Sequence, residues 1–352
     1  MTAALRKKQL NGCSALSVLG KTAVSAAAII AARRLFSAMA RPKIDLQDKV
    51  VLISGGSRGL GLALAREFGN RGSRIAACAR DASELDEACM RLRKGGIVAV
   101  PFPCDITNRS EVQTLIDRVI NHFGKIDILI NNAGFIKVGP FEAFSDSDFE
   151  YAMNLMFWAP VNLSFAALPH MTKQRTGNIV NITSIGGRVS VPHLLPYSCA
   201  KFAFVGFSTG LSTELKSRGI HVLTVVPGLM RTGSYLNAEF TGSAKQEFAQ
   251  FSLLGNLPPF SVAAEYAAVR VRRALEKQRY TCTISVPAKL LIAAEALLPD
   301  TTRAIFEVIN RYVLSHSEQT DSVSGKALSP GFGKVFQALT TLGRAAAVRL
   351  NE

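Results

Sequence analysis

The chain has 352 residues, 48% of them hydrophobic, and a formal net charge of +15 with both charge signs present. This is ample apolar material for one large α/β domain or two ordinary ones, and it excludes a disordered or fibrous chain. The basic residues do not cluster with interleaved aromatics, which argues against a nucleic-acid face. The six cysteines are scattered without paired spacing, which argues against a disulfide framework or a zinc site and for a reducing compartment.

Residues 1–44 hold eight Lys/Arg and no Asp or Glu, so 15 − 8 leaves +7 on the remainder. Residues 16–32 are apolar apart from Lys21 and small polar side chains, and Arg6-Lys7-Lys8 and Arg33-Arg34 flank them. The expectation is a membrane-associating helix over 13–36, with the catalytic domain in a reducing, cytoplasm-like compartment. A cleaved mitochondrial presequence and a plain extension of a soluble cytoplasmic protein are the other two readings.

The apolar run 49–54 predicts a buried strand ending at Ser54. Gly55-Gly56-Ser57-Arg58-Gly59-Leu60-Gly61 follows, then helical spacing over 62–70. Strand, glycine turn and helix form the context of a phosphate-binding loop. The glycines let backbone approach a pyrophosphate, and the helix start offers free N–H groups. A second strand, 74–79, ends at Arg80, where an NAD-binding unit usually places an acid. Arg58 and Arg80 together suit a 2′-phosphate, so NADP(H) is expected over NAD(H). Alternatively, Arg80 is a surface arginine pairing with Asp81 or Glu84, or Asp81 faces the ribose itself.

The rhythm continues with strands at 97–102, 126–131, 177–183, 220–226 and 281–286. Helices alternate with them at 83–94, 108–122, 147–173, 197–218 and 262–278. Such alternation predicts an α/β, doubly wound parallel sheet, a Rossmann fold, as a single domain over 45–286. Tyr197 and Lys201 share one helix face at i and i+4, thirteen residues after Ser184. A phenol beside an ammonium is a tuned proton donor, and a nearby hydroxyl can hold an oxygen that gains charge. His193 reads as a satisfied or solvent-facing histidine, and no histidine spacing suggests a metal.

Residues 229–260 carry Tyr235, Leu236, Phe240, Phe248 and Phe251. With Phe135, Ile136, Leu194 and Leu195 they suggest an apolar pocket for a small lipophilic carbonyl or alcohol; the other reading is that they pack on the core. Two extra helices are expected in 287–314, then a mobile linker over 315–334 and a basic helix over 335–350.

These motifs together resemble the short-chain dehydrogenase/reductase family over residues 46–286. The glycine motif is matched by Ser54 to Gly61, with Ser54 where the family usually has Thr. Asp105, beside Ile106, matches the adenine-contacting acid. Asn131-Asn132-Ala133-Gly134 matches the family's Asn-Asn-Ala-Gly. Pro227-Gly228 and Thr232 match the stretch that passes the nicotinamide. Asn154, Ser184, Tyr197 and Lys201 match the catalytic set. The resemblance implies hydride transfer between nicotinamide and a carbonyl or alcohol carbon, with Tyr197 as proton donor. Lys201 would lower the phenol's pKa and bind the ribose, Ser184 would bond the substrate oxygen, and Asn154 would hold a water. It also implies a homodimer or homotetramer. A catalytically silent nucleotide sensor, or a membrane-tethered scaffold, is the rival reading.

Overall fold

The computed structural model describes residues 43–258, 260–314 and 317–352. The basic arm 1–42, on which the anchor and presequence readings fall, lies outside the described residues. The expected membrane-associated location is corrected: among the described residues no helix is long and apolar enough to cross a membrane.

Seven parallel strands form the central sheet: β1 (Val50–Ser54), β2 (Arg74–Ala79), β3 (Ala99–Pro103), β4 (Ile128–Asn131), β6 (Gly177–Ile182), β7 (Ile220–Pro227) and β11 (Thr281–Ile284). Their order is β11-β7-β6-β4-β1-β2-β3, so the winding reverses between β1 and β4. All five residues of β1 and all eight of β7 are buried, because helices cover both faces of the sheet. The short strands β5 (Lys137–Val138), β8 (Leu229–Arg231), β9 (Glu239–Phe240), β10 (Ser261–Ala263) and β12 (Val323–Ser324) build two small sheets beyond the strand ends.

Helix α1 (Gly59–Gly69) follows the glycine turn and is buried along most of its length. Helix α2 (Ala82–Lys94) is capped by the Asp81 carboxylate, which accepts from Glu84 N–H at 2.9 Å. Helix α3 (Arg109–Phe123) starts on an Asn108 cap and stops at Gly124, which takes φ 80°. The single helix expected over 147–173 is divided. Helix α4 (Asp146–Met153) passes into a π-turn, Asn154–Trp158, before α5 (Ala159–Gln174). Pro160 has no N–H to donate and its ring crowds the carbonyl one turn back, so the ladder widens there.

Helix α6 (Leu195–Glu214) carries Tyr197 and Lys201 and has Pro196 in its first turn. Beyond it come α7 (Ala244–Asn256), α8 (Ala264–Glu276), α9 (Val286–Leu297), α10 (Pro299–Tyr312) and, at the end, α11 (Thr341–Arg349), with shorter turns between. The stretch expected to be a linker is instead pinned in part. Gly242 N–H donates to Gln319 O at 2.9 Å, β12 pairs with β9, and Gly325 N–H donates to Ala238 O at 2.9 Å. The main core lies between the sheet and α3, α5 and α6. A second cluster gathers Val138, Tyr235, Ala238, Phe240 and Phe248 against Phe332 and Phe336.

Candidate active site

A cavity of about 450 Å³ opens at the carboxyl ends of the strands, over the reversal between β1 and β4. Ligands of open α/β sheets bind at this place, because two strand-end loops diverge there. Gly55 takes φ +65°, and an added Cβ would stand 2.9 Å from Ala133 Cα. A Cβ on Gly61 would stand 1.8 Å from Gly55 O. Only glycine lets the loop fold this tightly against the start of α1.

Ser54 ties the two strand ends together. Its hydroxyl accepts from Asn132 N–H at 3.0 Å and Ala133 N–H at 3.3 Å. The Asn132 amide returns hydrogen bonds to Ser54 O at 3.1 Å and Gly55 O at 3.0 Å. Asn131 donates to Asn181 Oδ1 at 2.8 Å and Asn181 donates to Ser208 at 2.9 Å, a buried polar chain beneath the cavity.

The proton-handling residues converge. Ser184 caps the short turn Ile185–Gly187, accepting from Gly186 N–H at 3.0 Å. Glycine is required in this turn. A Cβ on Gly186 would meet the Tyr197 ring at 3.0 Å, and one on Gly187 would meet Lys201 O at 2.5 Å. The same Gly186 Cβ would stand 3.6 Å from Ser184 Oγ, so Tyr197 and Ser184 flank one small space. Lys201 Nζ donates to Ile182 O at 3.1 Å and lies 5.8 Å from the centre of the Tyr197 ring.

Burial pushes the Tyr197 phenol above its usual pKa, and the Ser184 hydroxyl offsets this in part. On the phenol, burial outweighs the lowering expected from Lys201. The same burial pushes Lys201 itself down to about 8, which weakens the charge that would do the tuning.

Gly55, Ser57, Arg58, Gly59 and Leu60 of the glycine loop line the cavity. So do Arg80, Ile106, Asn132, Ala133, Gly134, Tyr197, Lys201 and Thr232. Gly61 stands behind them against Gly55. Others are placed elsewhere. Asp105 Oδ1 turns back to accept from Thr107 N–H and hydroxyl at 2.9 and 2.7 Å, leaving Cys104 and Ile106 as the wall. Pro227 ends β7, and Gly228 N–H pairs with Ile284 O at 3.1 Å, so both sit behind the cavity. Asn154 is exposed at the π-turn, and its neighbour Leu155 lines the cavity instead.

Arg58 is already paired, donating to Glu84 Oε2 at 3.1 Å and to Asn237 Oδ1 at 3.4 Å. Arg80, on the exposed rim, makes no hydrogen bond or ion pair with a described residue. The expected pairing of Arg80 with Asp81 or Glu84 does not form, because one carboxylate caps α2 and the other holds Arg58.

Sequence reasoning left two features open and missed a third. His193 is buried, with Nδ1 at 2.8 Å from Glu247 Oε1 of α7, which holds the loop before Tyr197 against the lid. Phe248 packs on Phe332 and Phe336 at ring separations of 5.2 and 5.9 Å, so the lid's aromatics fill their own core rather than line the cavity. Glu352 reaches the cavity wall from the far end of the chain.

A profile of the family described as short chain dehydrogenase matches residues 49–239. The 3-ketodihydrosphingosine reductase of Bacteroides thetaiotaomicron is 34% identical over 56% of this chain and 71% of its own length. The 3-oxoacyl-(acyl-carrier-protein) reductase FabG of Haemophilus influenzae is 33% identical over 53% of this chain and 76% of its own. The solved structure of a short-chain dehydrogenase from Streptomyces avermitilis superposes with TM-score 0.64 at 27% identity, covering 76% of this chain and 98% of that one.

Proposed function

Since the chain belongs to the short-chain dehydrogenase/reductase family and is by that membership an NAD(P)-dependent oxidoreductase between carbonyl and alcohol, we propose that it is an NADP(H)-dependent reductase of a lipophilic ketone or aldehyde, with Tyr197 as proton donor. One observation carries the proton-donor reading: Tyr197, Ser184 and Lys201 gather at the carboxyl end of β6, where a Cβ on Gly186 would stand 3.0 Å from the Tyr197 ring and 3.6 Å from Ser184 Oγ, and Lys201 Nζ lies 5.8 Å from the ring centre.

The glycine cradle and the start of α1 fit a dinucleotide, because they present backbone where a Cβ would collide. Gly55, Gly59, Leu60, Asn132 and Thr232 would hold it, and Lys201 would reach its ribose. When bound, the nicotinamide supplies or accepts the hydride. Tyr197 holds the proton that a reduced carbonyl oxygen takes, and Ser184 donates a hydrogen bond to that oxygen as it gains charge. Burial keeps the phenol protonated, and the positive charge of a bound oxidised nicotinamide would favour its phenolate.

NADP(H) is supported by Arg80, a guanidinium on the cavity rim with no partner among the described residues, and by the absence of an acid at the end of β2. Asp81 is committed to its helix cap. The lipophilic substrate rests on Phe135, Ile136, Leu155 and Met230 in the cavity wall and on the relatives named for 3-ketodihydrosphingosine and 3-oxoacyl substrates. The lid aromatics no longer contribute to it. Exposed rings such as Trp158 and Phe165 support assembly into a homodimer or homotetramer. Dissociation constants for NADPH and NADH, measured on the wild type and Arg80→Ala, test the cofactor reading. NADPH should weaken by at least ~10-fold with NADH little changed, because one charge-assisted contact carries ~1.5–3 kcal/mol. Equal effects on both cofactors, or tighter NADH binding by the wild type, would sink it.

A further inference from the structure

The last three residues lie on the glycine loop. Helix α11 packs on the lid through two close approaches. A Cβ on Gly343 would stand 1.7 Å from Asn256 Oδ1, and one on Gly233 would stand 2.5 Å from Ala347 Cβ. Ala346, Ala347 and Leu350 are buried. The helix ends in a Schellman-type turn: Asn351 takes φ 61°, and Glu352 N–H donates back to Ala347 O at 3.0 Å.

That turn delivers the chain end to the start of α1. Gly59 N–H donates to Leu350 O at 2.8 Å. Asn351 Nδ2 donates to Ser57 O at 3.3 Å and to Glu84 O at 3.5 Å. The Glu352 carboxylate, whose side chain is 5% exposed, accepts from Asn237 Nδ2 and lies 3.9 Å from Arg58 Nε. Its oxygen would be 2.4 Å from a Cβ on Gly59. Helix α1 has no capping side chain and no acid in its first turn, so this tail supplies a carbonyl and a carboxyl group to its N-terminus; burial pushes that carboxyl up to about 7 against the pull of Arg58 and Asn237.

A dinucleotide pyrophosphate needs the same helix start. We propose that Leu350, Asn351 and Glu352 are a built-in competitor of the cofactor: they imitate the pyrophosphate at the glycine loop and set the chain's affinity for dinucleotide. This rests on the family reading that a dinucleotide occupies the loop. The competition is with the pyrophosphate, so it acts on NADPH and NADH alike and is separable from selection at Arg80. The apparent affinity is the intrinsic affinity multiplied by the fraction of chains whose tail is undocked, and cofactor binding in turn releases the tail.

The test titrates NADPH and NADH into three proteins: the full chain, the chain ending at Arg349, and Glu352→Gln. Folding of each is checked by its thermal melt. Removal of Leu350–Glu352 should tighten both cofactors by at least ~10-fold, the factor for a competent state populated at about a tenth. Glu352→Gln should recover part of that gain. Saturating NADPH should also speed tryptic cleavage of the full chain after Arg344 and Arg349, a readout that needs no variant. Unchanged affinity in the shortened chain and in Glu352→Gln would overturn the proposal, as would weaker binding or protection of the tail by NADPH. Failure of every form to bind either dinucleotide would overturn the cofactor reading along with it.

Discussion

Lys201 should weaken the fold that it serves. The residue is 4% exposed and its ammonium is held at about 8 instead of 10.5, with burial as the cause. At ~1.36 kcal/mol for each tenfold change in acidity, that corresponds to about 3 kcal/mol of destabilisation near neutral pH. Lys201→Met keeps the length and apolar stem and removes the charge. It also removes the 3.1 Å hydrogen bond to Ile182 O, which returns ~1–3 kcal/mol of cost. The variant should therefore be inactive and at least as stable as the wild type at about pH 7, by ~1 kcal/mol. The sign follows from the depressed folded value. The penalty is full below about 8, shrinks as pH rises through the interval up to 10.5, and is gone above it. Urea unfolding of both proteins at about pH 7 and about pH 10 measures the difference, and other titrations cancel in it. The variant's advantage should fall by about 2 kcal/mol across that range. An advantage that stays constant or grows with pH would refute the assignment of burial strain to Lys201.

Gly187→Ala should cost ~1–3 kcal/mol in denaturant unfolding, because its Cβ would meet the Lys201 carbonyl at 2.5 Å and neither backbone can yield freely. Its kcat should fall further than its cofactor affinity, since Ser184 and Tyr197 shift together. Phe248→Ala should cost ~3–5 kcal/mol, the range for truncating a fully buried ring. The same change should open the tail to protease at Arg344, because Phe332 and Phe336 lose their partner.

The sheet was legible because parallel strands buried on both faces read as short apolar runs, and β2 falls where the spacing predicts it. The residues around Tyr197 were legible because turn chemistry is local: Ser184, Gly186, Gly187 and Pro196 each have a geometric reason within about twenty residues. The π-turn at Asn154–Trp158 was less so, although Pro160 was the available signal. What a polar side chain chooses among several partners was not legible. Glu84 taking Arg58 and Glu247 reaching His193 depend on distances set by tertiary packing, and Asp105 spends its carboxylate on a local turn to Thr107 that competes with any distant partner. The lid aromatics were ambiguous for the same reason, since Phe248 finds Phe332 and Phe336 across some eighty residues of chain. No local pattern marks Glu352 as a neighbour of Gly59, 293 positions away (352 − 59).

The proposed role of Tyr197 is to deliver the proton in carbonyl reduction. Its direct measurement is NADPH oxidation, followed at the nicotinamide absorbance, across a panel of lipophilic ketones and aldehydes with the wild type and Tyr197→Phe, each with its NADPH dissociation constant. The account predicts turnover of at least one carbonyl by the wild type. It also predicts a ~10²–10⁴-fold loss in Tyr197→Phe with cofactor affinity unchanged, the range for removing a general acid. Wild-type protein that binds NADPH and turns over nothing in the panel, or a variant that keeps most of the rate, would contradict it.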